Sequence, residues 1–538
     1  MLNPSSPIAE NQPYASMRTR LVVSTIIVIG SLILLFTRLG HYPLWDDEAI
    51  TAMTARAVLH TGDTSVRVDN HNLLVYRNGL LVRDFKDRYT PPLQFYLIAP
   101  FIGLLGDGSF ACRLPFALCG VIAVAVILIW LIKANPPPLV WWAAAIILLT
   151  NASFFLFFRQ CRYYGLAMML SVVVAFLYCN RDGRTRWAIG LAVALSALLS
   201  AQYLNYAAVI GCLIVDYFLW GRKKHAFNIR QWMIVLITQL IVGGIVCSIW
   251  NPIALQGTDA YVSHNWVLDR IHLFWWNWRD MVASDFVIVP LLLLCPLLYL
   301  KKRSAWLLRA PAALFVYLGV ISLAVATSLS QANNAEIRYL APVLPLCVAI
   351  STLAVWGLLS LKPIARNLIL ILVGMTLLIE PTDKGPQPAT ALLYYHELAV
   401  PQQESYTPVI DWINANVPTN ASIYVQPGFK TYPLMLRAPK AIYAWQLTDP
   451  PRKDFVGLPD IHFHSRTAPD FMIQFGTTFE SQDLQKSFKT MTARGIHYKL
   501  IATLHYIWKD LYRPERIWRS FTTMQPGTGE EIYIYQKQ

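Results

Sequence analysis

The chain has 538 residues, of which 55% are hydrophobic and only 14% are charged, and it carries 18 Trp. Soluble domains average about 45–50% apolar and about 25% charged residues, so the composition excludes an ordinary soluble globule and points to a polytopic membrane protein. The net charge of +14 does not indicate nucleic acid, because the basic residues fall in short clusters between apolar runs, where topology determinants sit.

Residues 1–20 are polar and end in Arg18 and Arg20, and the apolar run 21–36 follows without a small-residue cleavage site. That pattern reads as a retained first transmembrane helix with the N-terminus in the cytoplasm. The helix then leaves the membrane near Thr37, which puts Trp45-Asp46-Asp47-Glu48-Ala49-Ile50 on the extracytoplasmic side. Carboxylates this close to hydrocarbon are costly and tend to be functional. Residues 47–60 fit an amphipathic surface helix closed by Thr61-Gly62-Asp63, and 66–82 fit a hairpin about Arg77-Asn78-Gly79. Thr90-Pro91-Pro92-Leu93 then opens an apolar run to residue 105. At roughly 1.5 Å per residue it reaches only about 20 Å of the ~30 Å hydrocarbon core.

Charge counting decides whether that short run crosses. Further candidate spans lie at 114–132, 140–158, 164–179, 187–201, 203–220, 232–250, 286–300, 305–329, 340–361 and 364–379. If 93–105 stays outside as a juxtamembrane helix, Lys133, the loop 181–186, Arg222-Lys223-Lys224, Lys301-Lys302-Arg303, Lys362 and Arg366 all fall inside. If it crosses, every one of these basic loops moves outside, against the positive-inside rule. The expected fold is therefore mostly α, a polytopic helix bundle of about eleven transmembrane helices by run length, followed by an extracytoplasmic α/β domain. The expected divisions are a cytoplasmic N-terminus (1–20), a transmembrane domain (21–380) with a first external loop (38–113), and the C-terminal domain (381–538).

On this topology the polar clusters gather outside. Phe158-Arg159-Gln160-Cys161-Arg162-Tyr163-Tyr164 has its arginines three apart, on one helical face. Gln202-Tyr203-Leu204-Asn205 is an external turn, 251–285 is an aromatic belt containing His264, and 330–339 holds Glu336 and Arg338. Past a linker at 381–388, a helix at 409–417 before a strand at 422–425, and a helix at 484–494 before a strand at 498–502, suggest a small α/β unit. The eight cysteines lie in or beside apolar runs without a CxxC, which supports neither a disulfide framework nor a thiolate metal site. His462 and His464 with Asp470 offer metal-ligand types, but alternate residues of a strand or loop are more often plain surface.

Trp45-Asp46-Asp47-Glu48-Ala49, Thr61-Gly62-Asp63, Pro91-Pro92-Leu93, Arg113-Leu114-Pro115, Arg162-Tyr163 and Arg338-Tyr339-Leu340-Ala341-Pro342 occur in the order seen in GT-C glycosyltransferases. Over roughly the first 360 residues the chain resembles the branch that contains aminoarabinose transferases and protein O-mannosyltransferases. The resemblance implies a multi-pass protein of the bacterial inner membrane. It would transfer a sugar, with inversion, from a polyprenyl-phosphate carrier to an extracytoplasmic lipid, glycan or protein acceptor. It also implies that Asp47 is the general base, with Glu48 following it and Asp46 as a further acid. Guanidinium groups bind phosphate bidentately and stay charged, which makes Arg162, Arg338, Arg159 and Arg88 or Arg113 the candidate donor-phosphate ligands. Tyr163, Tyr339 and His264 are candidate substrate contacts. Many relatives have Lys or His where this chain has Thr90, and Arg88 is the candidate substitute. No cofactor is required, although Asp46 and Glu48 would permit Mg²⁺ or Mn²⁺.

Each assignment has a plainer reading: acids favouring a helix N-terminus, arginines and tyrosines anchoring at the interface, His264 as aromatic packing. A polyprenol-linked glycan transporter or non-catalytic membrane scaffold, and an oligosaccharide ligase, are the alternative functions. A transporter would more often carry inverted repeats or charges near mid-span, and a ligase would transfer a preassembled glycan.

Overall fold

The computed structural model describes residues 14–69, 71–74, 85–221, 227–250, 266–284, 294–300, 304–324, 337–359, 361–376, 378–382, 385–388, 390–400, 404–445, 468–476, 495–506 and 530–538. The helices used below are α1 (Met17–Phe36), α2 (Asp46–Thr61), α3 (Leu93–Leu105), α4 (Ser109–Ala134), α5 (Pro138–Leu149), α6 (Ala152–Phe158), α7 (Tyr163–Cys179), α8 (Thr185–Ala201), α9 (Tyr203–Leu219), α10 (Ile229–Ile249), α11 (Trp266–Ser284), α12 (Trp306–Ala324), α13 (Leu344–Leu358), α14 (Pro363–Thr376), α15 (Thr390–Ala399), α16 (Tyr406–Asn416) and α17 (Thr431–Arg437). The chain forms two compact bodies, one from residues 1–37 and 116–400 and the other from 38–115, 401–511 and 523–538.

The first body is a helix bundle. Among the described residues, Met17–Phe36, Ser109–Ala134, Ile229–Ile249, Trp306–Ala324 and Arg338–Leu358 are long and apolar enough to cross a bilayer. Their surfaces carry apolar side chains that water would not tolerate as a continuous stripe. In α10, Leu240, Ile241 and Ile245 are exposed while Val235 and Val246 are buried. That helix starts where Asn228 and Gln231 cap each other's backbone N–H groups at 2.9 Å. The expected span 140–158 is broken into α5 and α6, bent by 55°. The cause is Asn151, whose Oδ1 accepts the Phe154 N–H at 2.9 Å and starts a new helix. Shorter apolar helices, α7, α8, α9 and α14, stand at four further expected spans. The expected span 286–300 falls largely outside the described residues.

Within this body α1 packs on α5, α8 on α7 and α10, α12 on α9, α11 and α13, and α13 on α5. Close approach is needed at Gly120 of α4, where a Cβ would sit 2.8 Å from Leu35 Cδ2 and 3.0 Å from Phe158 Cγ. Residues 381–388, expected as a linker, contribute to an antiparallel pair of strands, β1 (Ile379–Thr382) and β2 (Gly385–Pro388).

The second body joins residues 38–115 to the C-terminal region. Its sheet contains β3 (Ser422–Gln426), β4 (Ile442–Ala444), β5 (Phe471–Phe475), β6 (Tyr498–Tyr506) and β7 (Glu530–Lys537) in the order β4-β3-β5-β7-β6. Strands β4, β3 and β5 are parallel, whereas β7 is antiparallel to both β5 and β6. Helices α3 and α17 pack on α2. The buried Asn72 stitches loop to sheet by donating to the Ala441 carbonyl and accepting the Tyr443 N–H, each at 2.9 Å. The expected hairpin turn at 77–79 and the helix at 484–494 lie outside the described residues. The pairing that is described joins Arg67 to Leu73 about a turn held by Asp69, whose Oδ1 accepts the His71 and Asn72 N–H groups at 2.7 Å.

Candidate functional site

The extended backbone of Trp45 ends the loop after α1, so α2 starts with Asp46, Asp47 and Glu48 in its first turn. Three carboxylates at the positive end of a helix dipole are favourably placed, yet their surroundings differ. Glu48 is fully buried and is gripped by Arg113, with Nε to Oε1 at 2.9 Å and Nη2 to Oε2 at 2.5 Å. The same Oε2 accepts the Trp45 N–H at 3.3 Å. Arg113 also donates to the carbonyls of Leu39, Tyr42 and Pro43, so it ties the loop, the helix start and α4 together. Asp46 is buried and accepts a hydrogen bond from the Tyr406 hydroxyl at the start of α16. The Lys430 ammonium lies 4.7 Å from the centre of the Tyr406 ring. Asp47, the middle acid, is half-buried.

Arg88 is not brought to this cluster. It holds Asp63 through two 2.7 Å hydrogen bonds, and Lys86 adds an ion pair at 3.0 Å. The Arg88 hydrogen bonds keep the Asp63 carboxyl well below the usual carboxylate range. Asp63 follows the C-terminal end of α2, and a helix of 16 residues is roughly 24 Å long, so Arg88 sits at the far end of that helix from Asp46.

In the first body, Arg162 precedes α7 and is buried, with its guanidinium 5.5 Å from the Tyr163 ring centre. Arg338 stands 5.3 Å from the Tyr339 ring centre, in the 3₁₀ turn Ile337–Val343 that packs on α7. The Tyr163 hydroxyl has Tyr339, Arg338, Arg162 and Gln202 as its polar neighbours. The turn is pinned from below: Asn205 Nδ2 donates to the Tyr339 carbonyl at 3.0 Å, and the Tyr317 hydroxyl donates to it at 3.2 Å. The structure therefore gathers Arg162, Tyr163, Arg338 and Tyr339 into one cationic aromatic cluster, with Gln202 as a further member.

Arg159 is apart from that cluster. Its Nη1 donates to the carbonyls of Leu34 and Leu35 at the end of α1, at 2.9 and 3.1 Å. Tyr394 of α15 donates to the same Leu34 carbonyl at 2.9 Å. Nearby on α15, burial pushes the Glu397 carboxyl up to about 7, against the opposing pull of Arg159. His264, His462 and His464 lie outside the described residues.

Among the described residues, no three His, Cys, Asp or Glu side chains are grouped to hold a metal ion. At the proposed pair, both Glu48 oxygens already accept from the Arg113 guanidinium. Sequence reasoning named Arg113 only as a phosphate ligand and did not single out Tyr406, Lys430 or Glu397; nothing local to those positions signals their partners.

No protein-family model and no curated protein matches this sequence. Its fold does match solved structures end to end. ArnT from Cupriavidus metallidurans bound to undecaprenyl phosphate is 13% identical, with a TM-score of 0.58 over 97% of this chain and 98% of that one. ArnT from the same organism in the apo state is 12% identical, with a TM-score of 0.56 over 96% and 97%. The fold is thus GT-C-like, a membrane helix bundle with a C-terminal α/β region.

Proposed function

We propose that this chain is an integral-membrane glycosyltransferase that moves one sugar from a polyprenyl-phosphate carrier to an extracytoplasmic acceptor hydroxyl, inverting the anomeric centre. The observation that carries the reading is the likeness of the whole fold to a structure bound to undecaprenyl phosphate. The cluster of the buried Arg162 and the half-buried Arg338 supports it, because a carrier phosphate at the membrane interface needs fixed cations that keep their charge.

In the proposed step the acceptor oxygen attacks the anomeric carbon as the bond from that carbon to the phosphate oxygen breaks. The acceptor proton passes to Asp47, which acts as general base. Arg162 and Arg338 stabilise the charge that develops on the departing phosphate. Tyr163 and Tyr339 contact the donor beside those arginines. Asp46 and Glu48 orient the helix turn that carries Asp47, through Tyr406 and Arg113 respectively.

A donor screen tests this reading. The purified protein in nanodiscs is offered polyprenyl-phosphate sugars one at a time, and products are identified by mass spectrometry. A glycosylated acceptor is expected with at least one donor. Movement of intact carrier-linked glycan across vesicles, without any transfer product, would replace the enzyme by a transporter, and transfer of only preassembled glycans would make it a ligase.

A further inference from the structure

An apolar cavity runs through the helix bundle along the C-terminal half of α7, away from Arg162. This half-open cavity of about 560 Å³ is lined by α4, α5, α7, α9, α12 and α13, within the size range of a ligand pocket. Its walls are apolar, including Leu131, Ala144, Val172, Ala175, Val209 and Ala313. Water would find few partners along those walls.

Its polar groups sit where helices end. Lys133 is in the last turn of α4, Asn180 closes α7, Asp216 is in the last turn of α9 and Arg309 is in the first turn of α12. Arg309 is neutralised by Asp216 through bonds of 2.7 and 2.6 Å, and Tyr178 donates to the same carboxylate at 3.1 Å. Among the described residues Lys133 has no such counter-charge. It donates to the neutral Asn180 Oδ1 at 3.2 Å and faces the Phe176 ring at 4.9 Å. An ammonium has three donors, so N–H groups remain for an anion. Trp130 and Trp306 line the same cavity, residues suited to a headgroup boundary. The far end reaches Tyr317 and Val343, beneath the turn that carries Arg338 and Tyr339.

We infer that this cavity holds one acyl chain of an anionic membrane phospholipid, with the lipid phosphate met by Lys133. An apolar chain is the ligand a bilayer offers to such walls, and a cation paired only with a neutral amide at the span ends favours an anionic headgroup. The volume suits one chain and is far too small for a whole long polyprenyl tail. The Lys133 end of the site is separate from the proposed donor-phosphate cluster, since Lys133 bonds Asn180, and Arg162 and Asn180 bracket the 17-residue helix α7, roughly 25 Å long. The bound chain supports Tyr317, and through it the Tyr339 carbonyl.

The test uses the full-length protein in nanodiscs with phosphatidylglycerol or phosphatidylcholine carrying a diazirine in one chain. Photolabel is expected on peptides of α5 and α9 that line the cavity, with phosphatidylglycerol preferred. Lys133→Gln should reduce that preference about fivefold. Ala144→Trp, or Ala175→Phe if the first does not fold, should abolish the interior label while sparing label on outward-facing side chains. Unchanged interior label in both filled variants, or an unchanged headgroup preference in Lys133→Gln, overturns the assignment. So does displacement of the phospholipid by an equal mole fraction of polyprenyl phosphate, which would make the carrier the occupant.

Discussion

Arg113 donates from Nε and Nη2 to the two carboxylate oxygens of Glu48, 65 residues away in the chain, and both side chains are buried. Removing one member strands the other's charge. Arg113→Met should therefore destabilise the protein by about 3–5 kcal/mol. Combining it with Glu48→Leu should recover most of the loss, because the unpaired charge and not the missing bridge is the main cost. Thermal unfolding of the purified single and double variants in detergent checks this.

Asp46 depends on a residue far along the chain. Tyr406→Phe removes the hydroxyl that donates to it and leaves a buried carboxylate short of a donor, at a cost of about 1–3 kcal/mol. Unfolding of this variant should begin in the body that contains α2 and α16, which limited proteolysis followed over temperature can resolve.

Asp47 carries the proposed proton transfer. Asp47→Asn should lower kcat by roughly 10²–10⁴ while leaving donor affinity and unfolding temperature near wild type. Transfer by this variant at the wild-type rate would reject Asp47 as the base.

Arg338→Gln should act mainly on the donor. Loss of one charge-assisted contact weakens binding by about 1.5–3 kcal/mol, read as a higher Kd for a polyprenyl-phosphate sugar in a direct binding assay. Arg88→Gln should leave that Kd unchanged, because Arg88 is engaged with Asp63 beyond the other end of α2.

Glu397 makes stability depend on pH. Burial raises its carboxyl from the ordinary 4.5 to about 7, so between those values the folded state holds a proton that the unfolded state has lost. The contribution is fully present below about pH 4.5 and is lost as pH rises to about 7, on the order of 3 kcal/mol in all. Glu397→Gln should flatten this slope and raise the unfolding temperature at pH 8 relative to wild type, as measured in a thermal series from pH 5 to 8.

Much of the bundle is legible in the sequence. Hydrophobic run length is a local property, and α1, α4, α7, α8, α9, α10 and α12 stand where apolar runs put them. The break at Asn151 was missed because an unbroken apolar count across 140–158 hides one capping side chain. The pairing of loop 66–74 and the strands at 379–388 likewise turned on individual hydrogen bonds that composition does not resolve.

The sequence by itself determined that the chain is membrane-embedded, where its helices run, and that acids and arginines cluster at helix ends. All three are read from composition and order over a few turns. Only the tertiary structure decided which charges are committed: Glu48 to Arg113, Asp46 to Tyr406, Arg88 to Asp63 and Arg159 to the end of α1. Those pairs join segments up to 360 residues apart, and a single sequence carries no signal for them. A side chain's partner is set by the packing of distant elements, not by its neighbours along the chain.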